Sequence, residues 1–92
     1  MIRSFKHKGL KKFYIEGKTS GIQHGHATRI RDRLAFLNAS RTVEDMDRPG
    51  YRLHPLKGDK EGLWAVNVSG NWRIVFKFEN GDAYIVNYEG YH

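Results

Sequence analysis

The fold is decided by WAVNV (residues 64–68), NWRIVFKF (71–78) and DAYIVNYEGYH (82–92), three consecutive runs that carry most of the apolar mass. Alternation of apolar and polar residues is typical of β-strands that bury one face. Asn80-Gly81 lies between the last two runs, and this dipeptide favours a two-residue hairpin because a type I′ turn needs positive φ at both positions. The runs therefore predict an antiparallel meander of three strands.

The turns predict which residues pair and which share a face. A two-residue loop at Asn80-Gly81 predicts the pairs Phe78–Ala83, Phe76–Ile85 and Arg73–Tyr88. A three-residue loop at 69–71 predicts the pairs Val66–Ile74 and Trp64–Phe76. With these registers one face, which we expect to pack against helices, presents Trp64, Val66, Val68, Trp72, Ile74, Phe76 and Phe78. The other face presents Asn67, Arg73, Val75, Val86 and Tyr88.

The first half of the chain predicts two helices. Residues 8–16 place Leu10, Phe13 and Tyr14 on one helical face, and Gly17 is a natural stop. A second helix is predicted from about His24 to Leu37 by apolar residues at helical spacing. Short strands are predicted at 2–5 and 51–54. The predicted fold class is α+β, with two N-terminal α-helices packed on a small, mainly antiparallel β-sheet in a single domain spanning residues 1–92.

Composition and charge narrow the function classes. The chain has 92 residues, no cysteine and a net charge of +6. Thiol chemistry is excluded, and no apolar run reaches the length of a membrane span, so we expect a cytoplasmic protein with no membrane partner. Residues 1–41 contain ten Lys or Arg against two acids. This excess favours a polyanionic partner such as RNA or a ribosome, or an acidic protein, although a solvated basic surface kept for solubility is the alternative. The predicted RNA- or ribosome-binding residues are Lys8, Lys11, Lys12, Lys18, Arg29, Arg31 and Arg33.

The candidate catalytic residues are five side chains from the last 40 residues, namely His54, Lys57, Arg73, Tyr91 and His92. Arginine offers bidentate donors that suit a phosphate, and an imidazole can transfer protons near neutral pH. Metal-independent RNA cleavage needs both functions, because the 2′-hydroxyl must lose a proton while the phosphorane's charge is offset. Each residue also has a simpler interpretation: Arg73 faces solvent beside Tyr88 or Glu89, His54 and Lys57 belong to an ordinary turn, and the terminus is frayed.

No metal or other cofactor is expected. His24 and His26 lie close in sequence, but no nearby Cys, Asp or Glu completes a ligand set. We interpret both histidines as surface residues at the start of the second helix.

Several motifs in a fixed order resemble the HigB toxins of the RelE superfamily. They are HPLKGD (54–59), WAVNV (64–68), NWRIVF (71–76), NGDAY (80–84) and the terminal Tyr91-His92, and IRSFKHKGL (2–10) fits the same family. The resemblance implies a RelE-like fold and a ribosome-dependent endonuclease that cuts mRNA codons in the A site by 2′-hydroxyl attack. It also implies a ribosomal partner contacted through 16S rRNA, and a HigA-like helix-turn-helix antitoxin whose complex binds operator DNA.

The resemblance also assigns roles to the five candidate residues. His92 is the expected general base and His54 a second proton-transfer group, although base and acid could be exchanged. Lys57 and Arg73 would stabilise the phosphorane, and Tyr91 would stack on or orient a base. Members of the family commonly carry an acidic residue directly before the terminal Tyr-His, whereas this chain has Gly90. Glu89 is adjacent, but strand alternation points it to the other face.

Two further function classes are compatible with the same residues. A non-catalytic RNA- or ribosome-binding module would use the same basic surface. An interaction domain that binds an antitoxin but is itself inactive would follow if Gly90 abolishes catalysis.

Overall fold

The computed structural model describes residues 1–90, which form two α-helices and a four-stranded antiparallel sheet in the order β1-β2-β3-β4. The helices are α1 (Lys8–Glu16) and α2 (Ala27–Ala39). The strands are β1 (His54–Pro55), β2 (Trp64–Ser69), β3 (Trp72–Glu79) and β4 (Asp82–Gly90). Single 3₁₀ turns occupy His24–His26, Val43–Met46 and Gly58–Lys60. The predicted α+β class is confirmed.

The first helix has the predicted bounds, and the second begins later than predicted. α1 ends at Gly17, whose φ of 75° lets its N–H bond back to the Phe13 carbonyl. His24–His26 form a 3₁₀ turn, so α2 starts at Ala27. Of the strand predicted at 51–54 only His54 is in a strand, and β1 continues to Pro55, where a proline is tolerated because β1 is an edge strand.

A bulge in β4 changes the predicted pairing with β3. Phe78 pairs with Ala83 as predicted, but the predicted pairs Phe76–Ile85 and Arg73–Tyr88 are wrong. Ile85 and Val86 both lie between the pairs Lys77–Tyr84 and Val75–Asn87, so β4 contains one extra residue. Ile85 adopts a φ of 47°, which is unusual for a β-branched residue.

The N-terminal segment explains where this bulge forms. The hydroxyl of Ser4 accepts a hydrogen bond from Ile85 N, and the Ser4 carbonyl accepts one from Val86 N. Parallel bridges join Ile2 to Ala83 and Phe5 to Val86 on either side. The contact spans 81 residues of sequence, so the local pattern of β4 does not contain it.

A second bulge, in β2, leaves the predicted register correct. Ser69 pairs with Trp72 across a two-residue turn, so the predicted three-residue loop is wrong. Val68 is the extra residue. It compensates for a turn that is one residue shorter than predicted, so the predicted pairs Val66–Ile74 and Trp64–Phe76 are confirmed.

The core lies between the helices and one face of the sheet. All seven residues predicted for that face belong to the core or pack against it, together with Leu10, Ile30, Leu34 and Leu37 from the helices. Val86 and Tyr88 are also buried in this core, so their predicted position on the opposite face is wrong. The Ile85 bulge is the cause, since one extra residue exchanges the faces of every residue after it. Within residues 1–90, no helix has the length and apolar content that a membrane crossing requires.

Candidate active site

We call the two sides of the sheet the helix face and the open face. On the helix face, Tyr88 is the centre of an aromatic cluster. Its hydroxyl accepts a hydrogen bond from Gln23 N at 3.3 Å and lies 2.7 Å from His26 Nδ1. Its ring stacks on Trp72, with centroids 4.7 Å apart. His26 is therefore partly buried and bonded to β4, which corrects its interpretation as a surface residue.

On the open face, Arg73 and Lys60 converge on one carboxylate oxygen. Glu89 Oε2 accepts hydrogen bonds from Arg73 Nη2 at 2.9 Å, Arg73 Nε at 3.2 Å and Lys60 Nζ at 2.8 Å. Asn87 Nδ2 donates to the other oxygen, Oε1, at 3.2 Å. The cluster forms because Arg73 pairs with Glu89 across β3 and β4, where Tyr88 was predicted. Of the alternatives considered for Arg73, the pairing with Glu89 is the one observed.

The cations of this cluster hold Glu89 in its ionised form. Burial alone would raise the pKa of the Glu89 carboxyl, but the hydrogen bonds and charges of Lys60 and Arg73 outweigh it and lower the pKa. Arg73 Nε and Nη2 meet a carboxylate here with the geometry that a phosphate oxygen would also satisfy. The cluster is thus a preformed anion-binding arrangement with an internal anion in it.

His54 lies at the edge of the same face. It pairs with Ala65, which pairs with Val75, so His54 shares the open face with Asn87. The His54 Nδ1 atom lies 2.7 Å from the Arg52 carbonyl oxygen. A carbonyl only accepts, so Nδ1 carries the proton and Nε2 of the neutral ring is left with its lone pair.

The structure brings some predicted site residues together and leaves others apart. His54 and Arg73 share the open face, but β2 runs between their strands, which puts the strands about 10 Å apart at roughly 4.8 Å per strand, and Arg73 lies two residues along β3 from the position opposite His54. Lys57 is exposed in the loop three residues before Lys60. Tyr91 and His92 lie outside the described residues. Lys60, Asn87 and Glu89 were not predicted as site residues. The Arg73–Glu89 pairing was considered only as a simpler alternative, because the predicted register placed Tyr88 opposite Arg73, and no local signal indicated Lys60.

The whole chain, apart from its first two residues, matches a known family. Residues 3–92 match the family model described as the RelE-like toxin of type II toxin–antitoxin system HigB. This chain belongs to the HigB toxin family. The resemblance noted in the sequence is confirmed, and as the toxin of a type II system the protein is one half of a toxin–antitoxin pair.

Two curated relatives agree with this membership, and one solved structure has a similar fold. The chain is 53% identical to Endoribonuclease HigB of Proteus vulgaris over 92 residues, which is the full length of both proteins. It is 28% identical to Toxin HigB-1 of Vibrio cholerae serotype O1 over 85 residues, or 90% of each chain. The fold is similar to the crystal structure of a mutant of YafQ from E. coli, with a TM-score of 0.63 at 16% identity, covering 98% of this chain and 91% of the other.

In this HigB-family chain, positions 89 and 90 lie on opposite faces of the sheet, so an acid at one position has different neighbours from an acid at the other. Gly90 lies against Trp72 on the helix face, and a Cβ at this position would come within 3.2 Å of the indole Cε2. A side chain at position 90 would therefore require the indole to shift by a few tenths of an ångström. The acid at this end of β4 is Glu89, which is on the open face with Arg73.

The predicted RNA-binding residues divide into exposed and buried ones. The residues with exposed side chains are Lys8, Lys11, Lys12, Lys18, Arg29 and Arg31. Arg33 is only 8% exposed, donates to the Asn67 carbonyl at 2.6 Å and lies over the Tyr51 ring. Its prediction as an exposed RNA-binding residue is wrong, because its guanidinium joins α2 to the sheet instead of facing solvent. Among residues 1–90, no group of three or more His, Asp or Glu side chains could hold a metal ion.

Proposed function

We propose that this HigB-family protein is an endoribonuclease that cuts mRNA codons in the ribosomal A site by metal-independent attack of the 2′-hydroxyl. The observation that carries the proposal is the full-length identity of 53% to a relative named as an endoribonuclease. The open face supports it, since Arg73 and Lys60 already converge on one anionic oxygen. A phosphate that replaced the Glu89 carboxylate there would meet the same donors.

The proposed chemistry divides the steps between proton transfer and charge stabilisation. Arg73 and Lys57 would offset the charge that builds up on the phosphorane. His54 would protonate the leaving 5′-oxygen: its Nδ1 is bonded to a carbonyl, so Nε2 is the nitrogen through which it transfers a proton. His92 remains the proposed general base and Tyr91 the proposed base-orienting residue, both by family resemblance.

The proposed partners follow from the charge distribution and the family. Exposed cations on α1 and at the start of α2 would contact 16S rRNA, and this part of the proposal excludes Arg33, which is buried. The antitoxin would be a HigA-like helix-turn-helix protein, and the complex would bind operator DNA. With these partners, the proposed site of action is the cytoplasm.

The decisive test is Arg73→Ala, with Lys77→Ala as a matched control on the same strand. Lys77 is exposed and forms a salt bridge with Glu79, and neither residue belongs to the Arg73 cluster. Loss of one group that stabilises transition-state charge lowers catalysis by about 10²–10³-fold, and we expect Arg73→Ala to do so. Each protein is induced in cells, and mRNA 5′ ends are mapped within translated codons, with and without active ribosomes.

The outcomes separate the three function classes. Codon-internal ends for the wild type and Lys77→Ala, and their loss for Arg73→Ala, support the endonuclease. Inhibited translation with intact messages would indicate a non-catalytic ribosome-binding module. An antitoxin complex without any growth arrest would indicate an inactive interaction domain.

A further inference from the structure

We infer that the cleft beside the Arg73 cluster is a subsite for a nucleobase of the RNA and sets the codon preference of cleavage. This inference rests on the proposed function and deepens it by assigning a ligand class to the apolar residues beside the cluster, which have no part in the proposed chemistry. The cleft has a volume of about 280 Å³ and an apolar part formed by Leu63, Val75 and Ile85. The polar part of the cleft is formed by two lysines, two acids and an amide, namely Lys6, Lys60, Asp59, Glu89 and Asn87.

The position of the cleft favours a nucleotide. Lys60 and Glu89 line the cleft and also belong to the cluster that holds Arg73. A phosphate that took the place of the Glu89 carboxylate would therefore have this cleft as its immediate neighbour. Within one nucleotide, phosphate and base are joined by a single sugar, so both can be bound at once.

The lining of the cleft suits both the flat face and the hydrogen-bonding edge of a base. Leu63, Val75 and Ile85 provide apolar contact for the flat ring, as stacking surfaces do for single-stranded nucleic acids. The amide of Asn87 offers a donor and an acceptor in one plane, which is the group that reads base edges by paired hydrogen bonds. Lys6, also in the lining, adds a cation for the backbone.

Ile85 is the residue that distinguishes this cleft from an ordinary groove. Its side chain is 44% exposed and its φ is 47°, so the chain holds a β-branched residue in the left-handed region while leaving it in solvent. Hydrogen bonds to Ser4 keep the bulge in place. Strained residues of this kind cluster at binding sites, because the surrounding structure must stabilise them.

The test uses Ile85→Asn, with Ile15→Asn as its matched control. Asparagine tolerates positive φ, so the first variant is compatible with the bulge while removing the apolar contact. Ile15 is the more exposed isoleucine, at 64%, and lies on α1 away from the cleft. Cleavage by each protein is mapped codon by codon on translated messages. We expect Ile85→Asn to reduce the preference for the favoured base by about tenfold, and Ile15→Asn to leave it unchanged.

A second variant, Asn87→Asp, tests the base edge separately. It replaces an amide donor by an acceptor of the same shape, so we expect it to change which base is preferred at that codon position. The quantity compared is the ratio of cleavage among codons, which a general loss of rate does not alter.

The outcomes distinguish this inference from the proposed function. If the wild type cuts mRNA but neither Ile85→Asn nor Asn87→Asp alters the codon ratios, the subsite is wrong and the endonuclease stands. If the wild type does not cut translated mRNA, both are wrong. If Ile85→Asn weakens only the complex with the antitoxin, the cleft is a protein interface and the inference is overturned.

Discussion

Two neighbouring residues of β4, Tyr88 and Glu89, make different kinds of contact on the two faces of the sheet. Tyr88 is 4% exposed and bonds to Gln23 and His26 on the helix face. Glu89, the next residue, gathers Arg73 and Lys60 on the open face. Burial stabilises the first set of contacts, whereas charge pairing at a partly solvated surface organises the second. The helix face therefore holds the fold together, and the open face holds the groups suited to the proposed chemistry.

The largest expected effect on stability comes from Tyr88→Phe. Removing the hydroxyl removes its contacts with Gln23 N and the ring of His26, both of which water can reach, and a hydrogen bond of this kind contributes about 0.5–1.5 kcal/mol. The free energy of unfolding, measured by urea denaturation monitored by Trp fluorescence, should fall by that amount. The open-face cluster should be unaffected, so cleavage at a temperature where the variant is folded should match the wild type.

Glu89→Gln should have a smaller effect on stability. Ion pairs at partly exposed sites contribute about 0–1 kcal/mol, and the glutamine carbonyl still accepts one hydrogen bond. The same urea denaturation is the measurement. A loss greater than that of Tyr88→Phe would contradict the comparison, because the open face would then be essential to the fold.

The smallest expected effect is a dependence of stability on pH that originates on the helix face. Burial lowers the pKa of His7, and burial together with the charge of Arg29 lowers the pKa of His26. The unfolded chain therefore takes up these protons first, so stability is complete above about pH 6.5 and decreases as the pH falls toward the folded-state pKa values.

Urea denaturation between about pH 7.5 and pH 5.5 measures this decrease, and the pKa of Glu89 is too low for it to contribute in that range. His26→Gln should make the dependence shallower. A dependence of equal slope in this variant would assign the effect to His7 or to groups outside the helix face.

Much of the fold could be predicted from local sequence. The bounds of α1 followed from its apolar spacing and Gly17, and the tight turn followed from Asn80-Gly81, where both residues adopt positive φ. The pairing of β2 with β3 followed from alternation. Arg73 was placed on the open face for the same reason.

The rest depended on contacts between distant parts of the chain. A single bulge at Ile85, held by Ser4 from the other end of the sequence, moved Val86 and Tyr88 into the core and set Glu89 against Arg73. Arg33 was predicted to be a surface cation, but the Asn67 carbonyl and the Tyr51 ring lie beside it.

The sequence by itself determined the kind of elements, the charge and the family, because these depend on residue types and short spacings. Only the tertiary structure decided which face each residue of β4 occupies, since side-chain direction in a strand reverses with every inserted residue. It also brought Lys60 to Glu89 across 29 residues, which no local pattern encodes. The open-face site is therefore a property of the assembled sheet.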